Sequence, residues 1–367
     1  MKTLSPAPGR RAIYYWKCDR SASFHGTGGG AHRAISEDEL HSALRTHFPG
    51  KNLALRPAGG QGNHITYRAT IDGTEAFVRV EDGPERDDYM EVESRVLTEV
   101  RALGLPAPQV LAVDASRRDV PFAWQVLEFI DRPDLNHWHK QGALDLAAAA
   151  EKIGAAVGRW QTVQPGGFGP FDAEVLRSEN RMEGFHASYA DYFHLRLDRH
   201  LHFLLESGFL PASQGREIER EIAGHPRLLA LENGCLVHKD LALWNILGNA
   251  TEIAAFIDWD DAISGDRMDD LSLLGCFYDG PILARAFAGY AAVRLLPDDY
   301  RRRFWLHLLR NMIVKAVIRV GAGYFDRTDR FYLIGAGSSG ADLKAFTLAR
   351  IAAALHGLRE DQPIETL

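Results

Sequence analysis

Two kinds of periodicity divide this chain near residue 130, and that division limits the possible folds more than any other feature. From 53 to 130 the apolar residues fall in short β-rich runs: LALRPAGG (53–60), HITYRATI (64–71), TEAFVRVE (74–81), PQVLAVD (108–114) and FAWQVLEFI (122–130). Asp72-Gly73 separates two of them, a pair that signals a hairpin because both residues tolerate positive φ. One helix interrupts the strands at about 86–103 and stops before Pro106-Ala107-Pro108. Beyond Asp131 the spacing becomes helical, with helices predicted over 143–163, 186–207, 213–230, 282–295, 302–322 and 340–357. The stripe from Trp305 to Val320 reads as core. The exception is 235–258, where short apolar runs flank polar turns. Strands segregated from helices imply an α+β chain of two lobes. A small antiparallel sheet with one helix should occupy 36–130, opened by a capping-box pattern at Ser36 and Glu39. A larger, mainly helical lobe should fill 131–367, beyond a hinge at 128–132. Clefts between such lobes are common ligand sites.

Residues 1–35 are unlike the rest and read as an extension. Tyr14-Tyr15-Trp16 is expected to pack on the main body or on a partner chain. The glycine run GTGGG at 26–30 lacks the Lys-Ser/Thr of a phosphate loop and reads as a flexible connector. The chain of 367 residues is 46% hydrophobic, enough for a sizeable core, and its net charge of -7 argues against a nucleic-acid partner. Three cysteines without a CxxC pair do not suggest disulfides or structural zinc. No signal-peptide core and no membrane-length apolar run is present, so a cytoplasmic location without a membrane partner is expected. Oligomeric state is not readable.

The polar insert carries the chemistry. It reads His238-Lys239-Asp240-Leu241-Ala242-Leu243-Trp244-Asn245, then a run ending in Ile257-Asp258-Trp259-Asp260. Phosphoryl transfer needs a carboxylate to accept a hydroxyl proton, and a carboxylate plus an amide oxygen to hold magnesium against nucleotide phosphates. Asp240, Asn245 and Asp258 have that spacing. Asp258 follows a buried-type run, where a carboxylate needs a partner. His238 reads as a scaffold residue, and Asp266 and Asp270 as loop ties. Asp260 and Asp261 remain open between a role near the metal, a contact to a cationic substrate and plain surface charge.

This text resembles the aminoglycoside phosphotransferase and choline kinase-like family, including Gly265-Asp266-Arg267-Met268-Asp269-Asp270-Leu271 as its last element. The resemblance covers roughly 52–275 and implies a bilobal protein-kinase-like fold that uses ATP and Mg2+. It further implies Asp240 as catalytic base, with Asn245 and Asp258 as metal ligands. The glycine-containing loop with Gly60, Gln61, Gly62 and Asn63 would cover the phosphates. Arg79 on the third strand would reach them, with Glu93 as its ion-pair partner and Glu91 as the competing choice. The backbone of Glu128 and Ile130 would meet adenine. The implied activity is transfer of the γ-phosphate of ATP to a hydroxyl of a small molecule. That acceptor could be an aminoglycoside or other antibiotic, an amino alcohol such as choline, homoserine or a sugar. A silent nucleotide-binding scaffold and a nucleotidyl transferase are the rivals. Lys239, Ala242, Trp244 and Arg267 depart from the family pattern. Those departures alter the walls of the acceptor site, and Lys239 could meet an anionic substrate group, point to solvent or neutralise nearby aspartates.

Overall fold

The computed structural model describes residues 9–20, 35–59, 64–83, 85–328 and 339–367. Strands β1 (Leu53–Pro57), β2 (Ile65–Ile71), β3 (Thr74–Glu81), β4 (Val110–Asp114) and β5 (Ala123–Glu128) form one antiparallel sheet in the order β1-β2-β3-β5-β4. Asp72 (φ 49°) and Gly73 (φ 83°) make the β2–β3 turn and leave Ile71 opposite Thr74. Positive φ at both central residues is the hairpin geometry that Asp-Gly favours. One face of the sheet packs on Leu40, Ala43 and Leu44 of the helix Glu37–His47. The Ser36 hydroxyl accepts from Glu39 N–H at that helix's start. The helix Tyr89–Ala102 lies between the third and fourth strands in sequence and buries Val92, Val96, Leu97 and Val100.

The rest is mainly helical, so the expected two-lobed α+β arrangement holds. Its largest helices are Leu146–Trp160, Tyr300–Gly321 and Gly340–Glu360. A small sheet supports the polar insert. It runs β7 (Gly184–His186), β6 (Phe168–Phe171), β11 (Ile263–Gly265), β8 (Cys235–Val237), while β9 (Ile246–Gly248) pairs with β10 (Ile253–Phe256). β6, β7 and β11 were not expected. Four residues or fewer per strand is too short for an alternating pattern to register.

Two other expectations need correction. The single helix expected at 186–207 is two helices, Tyr189–Phe193 and Leu197–Glu206, with Arg196 between them at φ 60°. The break frees the carbonyls of Phe193 and Leu195 for Arg310, and lets Arg196 Nε donate to the carbonyl of Ala12 at 2.9 Å. No Gly or Pro marks it. The single helix expected at 213–230 likewise ends at Ala223, and a separate 3-10 turn Pro226–Leu229 follows, opened by the proline. Of the extension, residues 9–20 belong to the core. Ile13, Tyr14, Tyr15, Trp16 and Cys18 are buried, Tyr14 stacks on Tyr192 with centroids 5.0 Å apart, and the Arg310 guanidinium lies 3.6 Å from the Tyr14 ring centroid. Tyr14-Tyr15-Trp16 thus packs on the main body. The glycine run 26–30 lies outside the described residues.

Candidate active site

Three short chain segments deliver the polar residues of the insert to one place. β8 ends at Val237, and Asp240 follows in a tight turn. Asn245 closes the 3-10 turn Leu243–Asn245 just before β9, and Asp258 follows β10. Buried side chains hold the turn. Asp270 accepts from the backbone N–H of His238 (3.0 Å) and Lys239 (3.1 Å) and from Trp160 Nε1 (3.1 Å). The His238 ring bridges Asp240 N–H (3.3 Å) and the Ile257 carbonyl (3.0 Å), which tethers the Asp240 turn to the segment carrying Asp258. Asp266 accepts from Met268 N–H and pairs with Arg303. These are the scaffold and loop-tying roles read for His238, Asp266 and Asp270.

Lys239 has φ 69°, a left-handed conformation that glycine adopts without strain and lysine does not. Its side chain explains how it is tolerated. The ammonium is 1% exposed and meets three acceptors: Asp269 at 2.7 Å, Tyr14 Oη at 3.0 Å and Asn311 Oδ1 at 3.3 Å. Lys239 therefore neutralises an aspartate inside the core and does not point to solvent.

Asp240 is 5% exposed, and both its oxygens are engaged. Oδ1 accepts from Tyr15 Oη (2.9 Å) and Lys315 Nζ (3.3 Å), and Oδ2 from Lys17 Nζ (2.7 Å) and Asn245 Nδ2 (3.0 Å). Burial alone would raise its pKa, but Lys17 and Lys315 outweigh burial and hold the carboxyl well below the usual range. Such a carboxylate orients a hydroxyl and accepts its proton only as the proton is lost. The Asn245 amide nitrogen also donates to the Asp240 carbonyl (2.8 Å), so its oxygen is the atom left for a metal.

Asp258 sits at φ 65° with its side chain 28% exposed. Its Oδ2 is 2.8 Å from Lys17 Nζ and its Oδ1 is 3.5 Å from Arg79 Nη2. The Lys17 ammonium also lies 3.4 Å from Asp261 and 4.0 Å from Asp260. Asp260 and Asp261 are thus buried members of the same acidic cluster, not surface charge. Burial, then the charges of Asp260 and Asp240, push the Asp261 carboxyl up to about 7 against the opposing pull of Lys17. A carboxylate and an amide oxygen, beside a point where a cation already rests, form a hard-oxygen donor set that fits magnesium.

On the sheet side, Arg79 Nη1 meets both Glu93 oxygens, at 2.6 and 2.5 Å. Glu93 Oε1 also accepts from Trp259 N–H at 3.1 Å, which couples the helix Tyr89–Ala102 to the segment after Asp258. The rival partner, Glu91, pairs with Arg177 at 2.6 Å instead. Glu128 N–H donates to the Gln109 carbonyl (2.8 Å), and the Ile130 carbonyl accepts from Arg132 N–H (2.9 Å). An adenine here would fall to the other backbone group of each residue. Gly60, Gln61, Gly62 and Asn63 lie outside the described residues.

Four residues of the site went unread in the sequence. Lys17 and Tyr15 come from an extension without a motif. Lys315 lies in a stripe read as core, where a lysine was the available signal. His64 lies 3.2 Å from Glu81 and 3.3 Å from Asp260, and the two carboxylates outweigh burial and Arg79 to raise its pKa. A separate cluster, Cys18, Asp19 and His200, has metal-like spacing but does not suit a metal. Arg310 donates to His200 Nδ1 at 3.0 Å, so the ring proton sits on Nε2, facing Asp19 at 2.7 Å.

Solved structures share this fold. A candidate fructosamine-3-kinase from Thermobifida fusca YX-ER1 is 23% identical over 87% of this chain and 99% of its own, with a TM-score of 0.59. A thermostable mutant of the aminoglycoside phosphotransferase APH(4)-Ia is 16% identical over 86% and 98%, with a TM-score of 0.60. A further variant of that thermostable mutant is known in a ternary complex with ADP and hygromycin B, at 16% identity over 87% and 98% and a TM-score of 0.58. No curated protein sequence matches the chain. The family model described as "Phosphotransferase enzyme family" matches residues 54–305, more than half of the chain, and the protein belongs to that family.

Proposed function

We propose that this phosphotransferase moves the γ-phosphate of ATP to a hydroxyl of a small molecule in the cleft beside Asp240. The observation that carries the reading is the convergence of Asp240, Asn245 and Asp258. One ammonium reaches both carboxylates at 2.7 and 2.8 Å, while the Asn245 amide nitrogen reaches Asp240 at 3.0 Å. Asp240 orients the acceptor hydroxyl and takes its proton. The oxygen attacks the γ-phosphorus, and the bond to the β–γ bridging oxygen breaks. Asn245 and Asp258 would hold magnesium, which supplies charge neutralisation at the phosphates when bound. Arg79, fixed by Glu93, faces the same space and would clamp the phosphates. Positioning and preorganised charge supply most of the rate.

The test pairs wild type with Asp240→Asn against a mixed panel of hydroxylated antibiotics, sugars and amino alcohols, read by product mass and ADP release. A product heavier by one phosphoryl group, with turnover falling about 10²- to 10⁴-fold in the variant, is expected. Equal turnover in the variant would overturn the role of Asp240. A nucleotidyl adduct would overturn the reaction type.

A further inference from the structure

The helix Tyr300–Gly321 is buried along most of its length, yet Lys315 and Arg319 stand four residues apart on one face of it. Arg319 is only 5% exposed and Arg350, from the helix Gly340–Glu360, only 8%. A guanidinium withdrawn from water is costly without a counter-charge and a full set of acceptors. Among the described residues Arg319 has one acceptor: its Nη1 donates to Thr347 Oγ1 at 2.7 Å. Arg350 donates to the Tyr278 carbonyl at 3.1 Å and lies 4.8 Å from the Phe346 ring centroid. Among the described residues no carboxylate stands within ion-pair distance of either. Burial, with Arg350 adding to it, lowers Arg319 to about 10, and burial lowers Arg350 as well.

Arg310, on the same helix and fully buried, shows what a purely structural arginine looks like here. Its three guanidinium nitrogens meet the Phe193 carbonyl, His200 Nδ1 and the Leu195 carbonyl, and its plane covers Tyr14. Among the described residues Arg319 and Arg350 each meet a single acceptor, and none of their nitrogens is both sealed from solvent and unpartnered, so the remaining ones stay open to a ligand. They also lie toward the catalytic centre. Lys315 Nζ is 3.3 Å from Asp240 and within 5.4 and 5.6 Å of the Tyr15 and Phe277 ring centroids. Phe277 packs edge-on against Trp244, the residue before Asn245, and Tyr278 is Arg350's acceptor. Arg319 lies one helical turn, about 6 Å, further along the helix from Lys315.

We propose that Lys315, Arg319 and Arg350 form an acceptor subsite for an anionic group (carboxylate, sulfate or phosphate), so that the phosphorylated molecule is a hydroxyl compound carrying such a group about one helical turn from the reacting oxygen. The inference rests on the phosphotransfer reading above. An anion would meet the solvent-reachable guanidinium nitrogens and supply the counter-charge that no nearby carboxylate does, and the half-buried wall of Trp244, Phe277 and Tyr278 can cover the body of the molecule. A polycationic acceptor would meet three like charges.

Two measurements test it, both on the full chain. In the first, sulfate is titrated into protein saturated with AMP-PNP and magnesium, against chloride at equal ionic strength, and unfolding temperature is followed. Sulfate should raise it by several degrees in wild type and not in the double variant Arg319→Met/Arg350→Met. Equal responses, or none, overturn the subsite. The unliganded double variant should be at least as stable as wild type, since two uncompensated buried charges are gone. A marked loss would assign the arginines a structural role and overturn the proposal. The second measurement compares turnover of matched acceptors, gluconate against glucose and glycerate against glycerol, with an aminoglycoside included. The acid of each pair should be preferred, with its KM rising about ten- to a hundredfold in the double variant. Turnover confined to neutral or cationic acceptors overturns this proposal and leaves phosphotransfer standing. AMP-PNP binding without turnover of any acceptor defeats the phosphotransfer reading instead, while the sulfate titration still judges the subsite.

Discussion

Replacing Lys239 with glycine sets two opposed effects against each other, and the structure indicates which one wins. At φ 69° a lysine backbone is held in the left-handed region, and glycine would relieve about 1 kcal/mol of that cost. Against this, the ammonium is 1% exposed and meets Asp269, Tyr14 and Asn311, while Asp269 is itself fully buried. Once Lys239 is gone, Asp269 keeps, among the described residues, the amide of Asn311 (2.9 Å) as its side-chain hydrogen-bond donor, with His307 at longer range. Removing one member of a buried ion pair costs about 3–5 kcal/mol, because the other charge is left unpaired. Glycine adds roughly 0.5–1 kcal/mol of unfolded-chain entropy. Lys239→Gly should therefore lose about 3 kcal/mol, a third or more of an ordinary domain's stability. Urea unfolding of the unliganded protein measures this, read at constant m so that the denatured state is not the cause. The double variant Lys239→Gly/Asp269→Asn should recover part of the loss, since the stranded charge is removed. If Lys239→Gly is as stable as wild type, backbone strain outweighs the ion pair and the account of this position is wrong.

Two further perturbations have signs that follow from the geometry. Lys17→Met removes an ammonium 2.8 Å from Asp258, so magnesium should bind the nucleotide-free protein about tenfold more tightly by calorimetry; unchanged affinity would show that ammonium and metal do not compete. For Asp266, burial raises the carboxyl, but His307 and Arg303 outweigh burial and the folded pKa ends below the ordinary value. Its contribution is then complete above about pH 4 and drains away as pH falls through the folded value. Asp266→Asn should be less stable at pH 7 and lose less stability than wild type on acidification below pH 4, and identical acid limbs in urea unfolding would refute the assignment.

Features governed by local backbone chemistry were legible in the sequence. Asp72-Gly73 predicted its own turn because positive φ at two successive residues admits few side chains. The Asp240, Asn245 and Asp258 spacing marked the site because short strands deliver turn residues to one place. What excludes a competing side chain was not legible. The sequence favours Glu93 over Glu91 as the partner of Arg79, as observed, but what excludes Glu91 is Arg177, 86 residues away, taking it. The break at Arg196 carries no local signal either, since it follows from the demands of Arg310 and Ala12 on carbonyl and guanidinium partners. The departure at Lys239 was visible, but its meaning depended on Asp269, Tyr14 and Asn311 meeting at one point from three distant segments.

Lys17 shows why the extension is part of the site and not an appendage to it. Four carboxylates, of Asp240, Asp258, Asp260 and Asp261, surround one ammonium. Without that charge the cluster would rest mainly on Arg79, Lys315 and the Arg10 that pairs with Asp87 and donates to the Asp260 carbonyl. The segment is held on both sides, by Arg10 to Asp87 ahead of the helix Tyr89–Ala102 and by the Tyr192 hydroxyl to the Tyr14 carbonyl at 2.8 Å. Under the phosphotransfer reading, Asp258 would have to exchange the Lys17 ammonium for magnesium. The segment need not leave for this to happen, because Asp261 already lies 3.4 Å from the ammonium. A short move toward Asp261 would keep Lys17 paired and open Asp258 to the metal, so the cost of admitting the ion would be the rearrangement of one side chain on a fixed backbone.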